Sequence, residues 1–171
     1  MKLNGIVRKL DMLGRIVIPR EYRKMLNIKE NDPLEIISTA NGDIIIRKVD
    51  ISSELVNAGR PIADELFVTL NRNIMVCDTA KYLTGAGTLV ESLCGTVISS
   101  KAQQLIEKRD CFVGKASEIG MDGAPFVAIC PVYSENVFGA LVLFSDTLPS
   151  AHDTAMLQLV GRILGNTLQN F

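Results

Sequence analysis

The sequence predicts an α+β protein of two small domains joined by a helix, and three observations carry that prediction. Short β-branched runs and turn signals fill residues 1–50 in the order ββαββ. A helical apolar stripe follows Asp50. Beyond it, strands and helices alternate up to an amphipathic closing helix. The expected divisions are 1–50, 51–71 and 72–171. An apolar content of 47% is enough for a packed core, so the chain reads as globular rather than disordered.

In the first division, Gly5 to Leu10 reads as a strand, Asp11 to Gly14 as a tight turn and Arg15 to Ile18 as a second strand. Pro19 suits the first turn of a helix, where its missing N–H costs nothing, and that helix is expected to run to Leu26 and stop at Asn27. On it Tyr22, Met25 and Leu26 form an apolar stripe, while Arg20, Arg23 and Lys24 form a cationic stripe at the same spacing. Leu34 to Thr39 and Asp43 to Val49 read as strands, with Asn41-Gly42 as a type I′ hairpin turn. About 50 residues make a marginal core, and oligomerisation is the common remedy, so a dimer is expected.

After Asp50, Ser52 and Ser53 look like caps. Leu55, Ala58, Ile62, Leu66 and Leu70 then give the helical stripe of a connector, with Pro61 marking either a kink or a later start near Gly59-Arg60. In the last division Ile74 to Cys77, Lys81 to Thr84 and Cys111 to Ala116 read as strands, and Gln103 to Arg109 as the end of a helix. Phe126 to Tyr133 and Val137 to Phe144 form the strongest apolar pair, a central antiparallel hairpin around Ser134-Glu135-Asn136. Met156, Leu159, Val160, Ile163, Leu164 and Leu168 line the closing helix, with Ser150 and Asp153 at its start as caps.

The formal charge of -1 hides an asymmetry. Met1 to Lys29 holds eight Lys/Arg against two acids, net +6; Glu30 to Asp50 holds two against five, net -3; the rest holds eight against twelve, net -4. A basic end on an otherwise acidic chain points to an anionic partner for that end alone.

The string from Gly5 to Pro19, Gly-Ile-Val-Arg-Lys-Leu-Asp-Met-Leu-Gly-Arg-Ile-Val-Ile-Pro, resembles the swapped-hairpin DNA-binding domain of AbrB-type transition-state regulators. The likeness continues through Arg23-Lys24-Met25-Leu26, Asp32-Pro33-Leu34-Glu35-Ile36 and Ile45-Ile46-Arg47-Lys48. It implies a swapped-hairpin β-barrel, in which two chains interlace as an intertwined dimer and present arginines of both to double-stranded DNA. By position those are Arg8, Arg15, Arg23 and Lys24, with Lys9 and Arg20 as neighbouring cations. Arginine can fork onto phosphates or guanine edges; Lys24, where paired arginines are common in the family, keeps the charge without the fork and is expected on a phosphate.

The second half is similar to a GAF-type sensor domain, an α/β fold with an antiparallel sheet, best marked by Ala128-Ile129-Cys130-Pro131-Val132 and by Val137 to Leu143. Together the two resemblances imply a cytoplasmic, nucleoid-associated transcription regulator of sporulation or stationary phase, whether activator or repressor. Its GAF-like domain would sense a small ligand of unknown identity, assemble tetramers, or both. Two further classes stay open: an antitoxin of a toxin-antitoxin pair, and a ligand- or nucleotide-binding sensor module.

Other chemistries find little support. Cys77, Cys94, Cys111 and Cys130 are widely spread without a C-x-x-C pair, so they are expected to be reduced and mostly buried rather than zinc ligands, disulfides or oxidant sensors. His152 is the sole histidine, and Asp110, Glu118 and Asp122 have no paired spacing for acid/base work. Gly85-Ala86-Gly87 is half of a phosphate loop at most and reads as a plain loop. No catalytic residues, metal or cofactor are expected, and no membrane-spanning run.

Overall fold

The computed structural model describes residues 5–30 and 34–169, and these divide into two compact units, Met1–Val49 and Asp50–Phe171. Lys2 and the Asp32-Pro33 pair of the sequence motif lie outside the described residues.

Along the described residues the first unit opens with a segment that reverses at Asp11-Met12-Leu13-Gly14-Arg15. The Gly14 N–H donates to the Asp11 carbonyl and the Asp11 N–H to the Arg15 carbonyl, each at 3.0 Å, and Gly14 takes a φ of +74° that favours glycine. Helix α1 (Arg20–Met25) follows, with Pro19 as its N-cap, one residue earlier in the helix than expected, and Asn27 at φ +50° ends it. Strands β1 (Leu34–Ser38) and β2 (Ile44–Lys48) then pair antiparallel, Ile36 opposite Ile46. Their connection differs from the expected type I′ turn. Gly42 alone has positive φ, its N–H donates to the Thr39 carbonyl at 3.0 Å, and the Thr39 N–H donates to the Asp43 carbonyl at 2.9 Å. This is a three-residue loop with glycine in the left-handed position, the same device that closes the first reversal.

Residues 5–10 and 15–18 differ from the strands that their composition predicts. In the single chain they form no strand and join no ladder, because the only sheet among the described residues of this unit is the β1–β2 ribbon. None of the unit's described residues is buried, and Met25 and Leu26, expected to pack, are exposed.

The second unit is a five-stranded antiparallel sheet with helices on both faces. Helix α2 (Ile51–Leu70) contains Pro61 within its span, so the later start near Gly59-Arg60 is not realised. It carries Leu55, Ala63 and Leu66 into the core of this unit rather than standing apart as a connector. Asp50 occupies its N-cap position without a side-chain bond to the helix backbone, and the Ser53 hydroxyl donates to the Asp50 carboxylate at 2.6 Å, a bond that holds the Asp50 carboxyl below its ordinary value. Strands β3 (Asn73–Cys77) and β4 (Tyr82–Ala86), helices α3 (Val90–Leu93) and α4 (Ser100–Lys108), strand β5 (Phe112–Lys115), a 3-10 turn (Ala116–Ile119), strands β6 (Phe126–Tyr133) and β7 (Val137–Ser145) and helix α5 (Ala151–Leu168) complete it. The sheet order is β4-β3-β7-β6-β5. Gly85 and Ala86, expected in a loop, belong to β4, and Gly87 follows it at φ +110°.

Period-two alternation sorts the strands onto two cores. Ile74, Val76, Ala128, Cys130, Val132, Leu141 and Leu143 lie under α2 and α5. Met75, Cys77, Val127, Ile129, Ala140, Val142 and Phe144 lie under α4 and the 3-10 turn. Helix α5 starts with a full capping box, Ser150 Oγ accepting from the Asp153 N–H and Asp153 returning a carboxylate oxygen to the Ser150 N–H. It sits directly on the backbone of β6: a Cβ on Gly165 would lie 2.2 Å from the Tyr133 carbonyl oxygen, and one on Gly161 3.2 Å from that of Pro131.

Candidate nucleic-acid interface

The six cations singled out in the sequence are all exposed and lie on three consecutive pieces of the first unit. Arg8 and Lys9 precede the first reversal, Arg15 leaves it, and Arg20, Arg23 and Lys24 share one face of α1.

The reversal does more than turn the chain. Asp11 Oδ1 accepts from the Leu13 N–H at 2.9 Å and the Arg15 N–H at 2.8 Å, while Oδ2 takes the Arg15 Nε–H at 2.7 Å. The carboxylate thus ties the loop and aims the guanidinium, leaving the two terminal nitrogens of Arg15 available. The Arg15 backbone N–H and then its side chain hold the Asp11 carboxyl below its ordinary value. Asp11 is a candidate positioning residue that sequence reasoning misses. The signal that could have found it is an aspartate four residues before an arginine across a glycine turn. Among the described residues, Arg8, Lys9, Arg20, Arg23 and Lys24 form no ion pair. Their charge is not neutralised by those residues, which suits capture of an external anion.

Beside these cations stand twelve large apolar side chains that are exposed in one chain: Ile6, Val7, Leu10, Met12, Leu13, Ile16, Val17, Met25, Leu26, Ile36, Ile44 and Ile45. Such a density of uncovered apolar surface, in a unit with no buried residue among those described, marks an interaction face.

The second unit offers cavities but no catalytic cluster among the described residues. One, about 470 Å³, is walled by Arg72, Asn73, Thr88, Leu89, Phe144 and Asp146 among others; Asn73 Oδ1 accepts there from Thr88 Oγ1 at 3.2 Å and the Leu89 N–H at 3.3 Å. An apolar groove of about 290 Å³ lies between α2 and α5. Among the described residues no group of three or more His, Cys, Asp and Glu is placed to hold a metal, and no helix is long and apolar enough to cross a membrane. The cysteines divide evenly: Cys77 and Cys130 are buried, but Cys94 and Cys111 are exposed, which corrects the expectation of mostly buried thiols.

Several known proteins resemble parts of this chain. The family model described as antidote-toxin recognition MazE, bacterial antitoxin, matches residues 7–53. Stage V sporulation protein T of Bacillus subtilis (strain 168) is 37% identical over 109 residues, 64% of this chain and 61% of that protein. The transition state regulatory protein AbrB of the same organism is 64% identical over 36 residues, 21% of this chain and 38% of that protein. The matched part of the chain therefore spans about three fifths of the first relative and less of the second. In structure, the chain is similar to the second GAF domain of DevS from Mycobacterium smegmatis, with a TM-score of 0.57 at 15% identity, covering 71% of this chain and 94% of that one. At that identity the likeness speaks for the GAF fold alone; with the N-terminal matches, an AbrB-like domain is followed by an α/β domain of GAF fold with an antiparallel sheet.

Proposed function

We propose that this chain is a transcription regulator that binds double-stranded DNA sequence-selectively as a homodimer through its first unit. It would act in sporulation or stationary-phase gene control, as the names of its Bacillus relatives suggest. One observation carries the reading. A unit with twelve exposed large apolar side chains and no buried residue among those described carries six exposed cations, five of them without an ion pair among the described residues. Burying the apolar face against a second copy removes the uncovered surface and doubles the cations into a two-fold array, the geometry that phosphate tracking requires. In that array Arg15, aimed by Asp11, and Arg8 serve as the forked contacts, Arg23 and Lys24 as backbone contacts, and Lys9 and Arg20 as flanking charge. The GAF-fold unit adds sensing, tetramer assembly or both. Exposed Val68, Leu159 and Ile163 on α2 and α5, beside the apolar groove, favour helix-to-helix association of dimers.

The test is fluorescence anisotropy with promoter-length duplexes across a salt series. Arg15→Ala should weaken binding sharply while sedimentation shows the dimer intact, and Lys24→Ala should shallow the slope of log K against log salt by about 0.9 for each phosphate no longer neutralised. Unchanged affinity in Arg15→Ala would overturn the assignment. The antitoxin reading draws support from the family model over residues 7–53. It would be favoured instead if a small toxin co-purified and bound this chain, although residues 50–171 form a packed domain rather than the adaptable tail that wraps a toxin.

A further inference from the structure

We infer that Cys111 and Cys130 form a reversible thiol–disulfide pair, a modification site at the edge of the C-terminal sheet. Strand β5 pairs with β6 so that Phe112 lies opposite Ile129 and Val113 opposite Ala128. Continued by one residue, that register sets Cys111 opposite Cys130. Directly opposed residues of antiparallel strands have Cα atoms about 4.5–5.5 Å apart, inside the range of about 4.4–6.8 Å that a disulfide requires. Both cysteines also line one cavity of about 220 Å³, together with Tyr133, Gln158 and Arg162, so they sit on the same face of the sheet.

The two thiols differ in a way that divides the chemistry. Cys111 is exposed just before the edge strand β5, where a small oxidant reaches it; Cys130 is fully buried, and its thiol is held protonated first by burial and then by the neighbouring Cys111. The Arg162 guanidinium in the wall of the cavity supplies positive charge beside the pair. Neither other cysteine has this setting. Cys77 is fully buried under the opposite helices with its thiol pushed up to about 12, and the exposed Cys94 thiol donates to the Leu83 carbonyl at 3.7 Å.

The oxidant is a hydroperoxide. The Cys111 sulfur attacks the distal peroxide oxygen, the O–O bond breaks and an alcohol or water departs with a proton, leaving Cys111 as the sulfenic acid. The Cys130 sulfur then attacks that sulfur; the S–S bond forms, the S–O bond breaks, and the hydroxide leaves as water with the Cys130 proton. Two thiols and one hydroperoxide become one disulfide, one alcohol and one water. Two equivalents of a small thiol reverse the bridge by exchange. The bridge staples β5 to β6 beside Tyr133, whose ring lies 5.0 Å from the Arg109 guanidinium and 4.8 Å from that of Arg162, which also donates to the Tyr133 hydroxyl at 2.9 Å. The redox state is thereby felt at both the end of α4 and the middle of α5.

The experiment treats the reduced full-length protein with hydrogen peroxide, blocks free thiols by alkylation, and maps peptides by mass spectrometry without reduction. The expected result is an intrachain peptide pair joining Cys111 to Cys130, lighter by two hydrogens and restored by dithiothreitol. Cys94→Ser should leave it unchanged, Cys111→Ser should abolish it, and Cys130→Ala should trap Cys111 as a dimedone-reactive sulfenic acid. The wild-type map stands whether or not Cys130→Ala folds. Over-oxidation of Cys111 to the sulfinic acid with Cys130 still reduced, bridges between chains only, or no change at either cysteine would each overturn the proposal.

Discussion

The ribbon β1–β2 and the hairpin β6–β7 are both antiparallel pairs rich in isoleucine, valine and leucine, yet one has no buried residue and the other is buried along almost its whole length. The difference lies in what surrounds them. Strand β7 is flanked by β3 and β6, and helices of the same chain cover both faces, so its apolar residues from Phe138 to Phe144 find cover within residues 50–171. The β1–β2 ribbon pairs with no other strand among the described residues. An isolated two-stranded ribbon is marginal in water, so the first unit carries the sequence of a core without the means to close it. The lesson is that apolar content does not make a unit self-sufficient; the supply of covering elements does.

The strongest way to break that comparison is Val17→Asp. Val17 is 74% exposed in one chain. On a free surface the change would stay within about 0.5 kcal/mol, whereas against a second copy it buries an unpaired charge. We expect loss of the dimer and of DNA binding, with the calorimetric transition of the second unit retained. Sedimentation equilibrium showing a dimer of undiminished strength would mean that the first unit is covered in some other way.

The matching test in the second unit is Gly165→Ala, where the sign decides. Glycine to alanine inside a helix ordinarily stabilises by about 1 kcal/mol. Here the added methyl meets the Tyr133 carbonyl at 2.2 Å, so α5 must lift from β6. Overpacking of this kind costs about 1–3 kcal/mol, and urea denaturation should show net destabilisation. A stabilised variant would mean that α5 rides on β6 more loosely than the close approach implies.

What is legible in the sequence follows the same division. Phe126 to Tyr133 and the closing helix from Ser150 are readable because their partners lie in the same chain, so apolar pattern and caps describe a complete environment. Residues 5–10 and 15–18 read as strands from β-branched composition, but a ladder needs a partner strand, and the described residues of the single chain provide none. The Asn41-Gly42 signal locates the hairpin turn but not its length, since glycine at φ +84° serves a three-residue loop as well as a two-residue one. The cationic set is visible as charge and motif, whereas the role of Asp11 depends on hydrogen bonds that only the folded loop displays. The Cys111–Cys130 juxtaposition is hidden for a similar reason: it rests on the β5–β6 register, which links residues far apart in the chain.

The smallest expected effect isolates that aspartate. Asp11→Asn keeps an oxygen to accept from the Leu13 and Arg15 N–H groups, so the turn should persist, but it removes the charge that holds the Arg15 guanidinium. Arg15 then samples more rotamers before meeting DNA, and affinity should fall only a few-fold, far less than in Arg15→Ala, with dimerisation unchanged. Acid should act on the wild type in the same direction. The Asp11 carboxyl is held below its ordinary 3.8, so its contribution is fully present above that value and is lost as pH falls through the lowered one. The N–H donors and guanidinium that stabilise the carboxylate do so only while it is ionised. Binding by wild type and by Asp11→Asn should therefore converge in that acidic window. A variant that binds as tightly as wild type near neutrality would show that the aim of Arg15 is set by the DNA rather than by the loop.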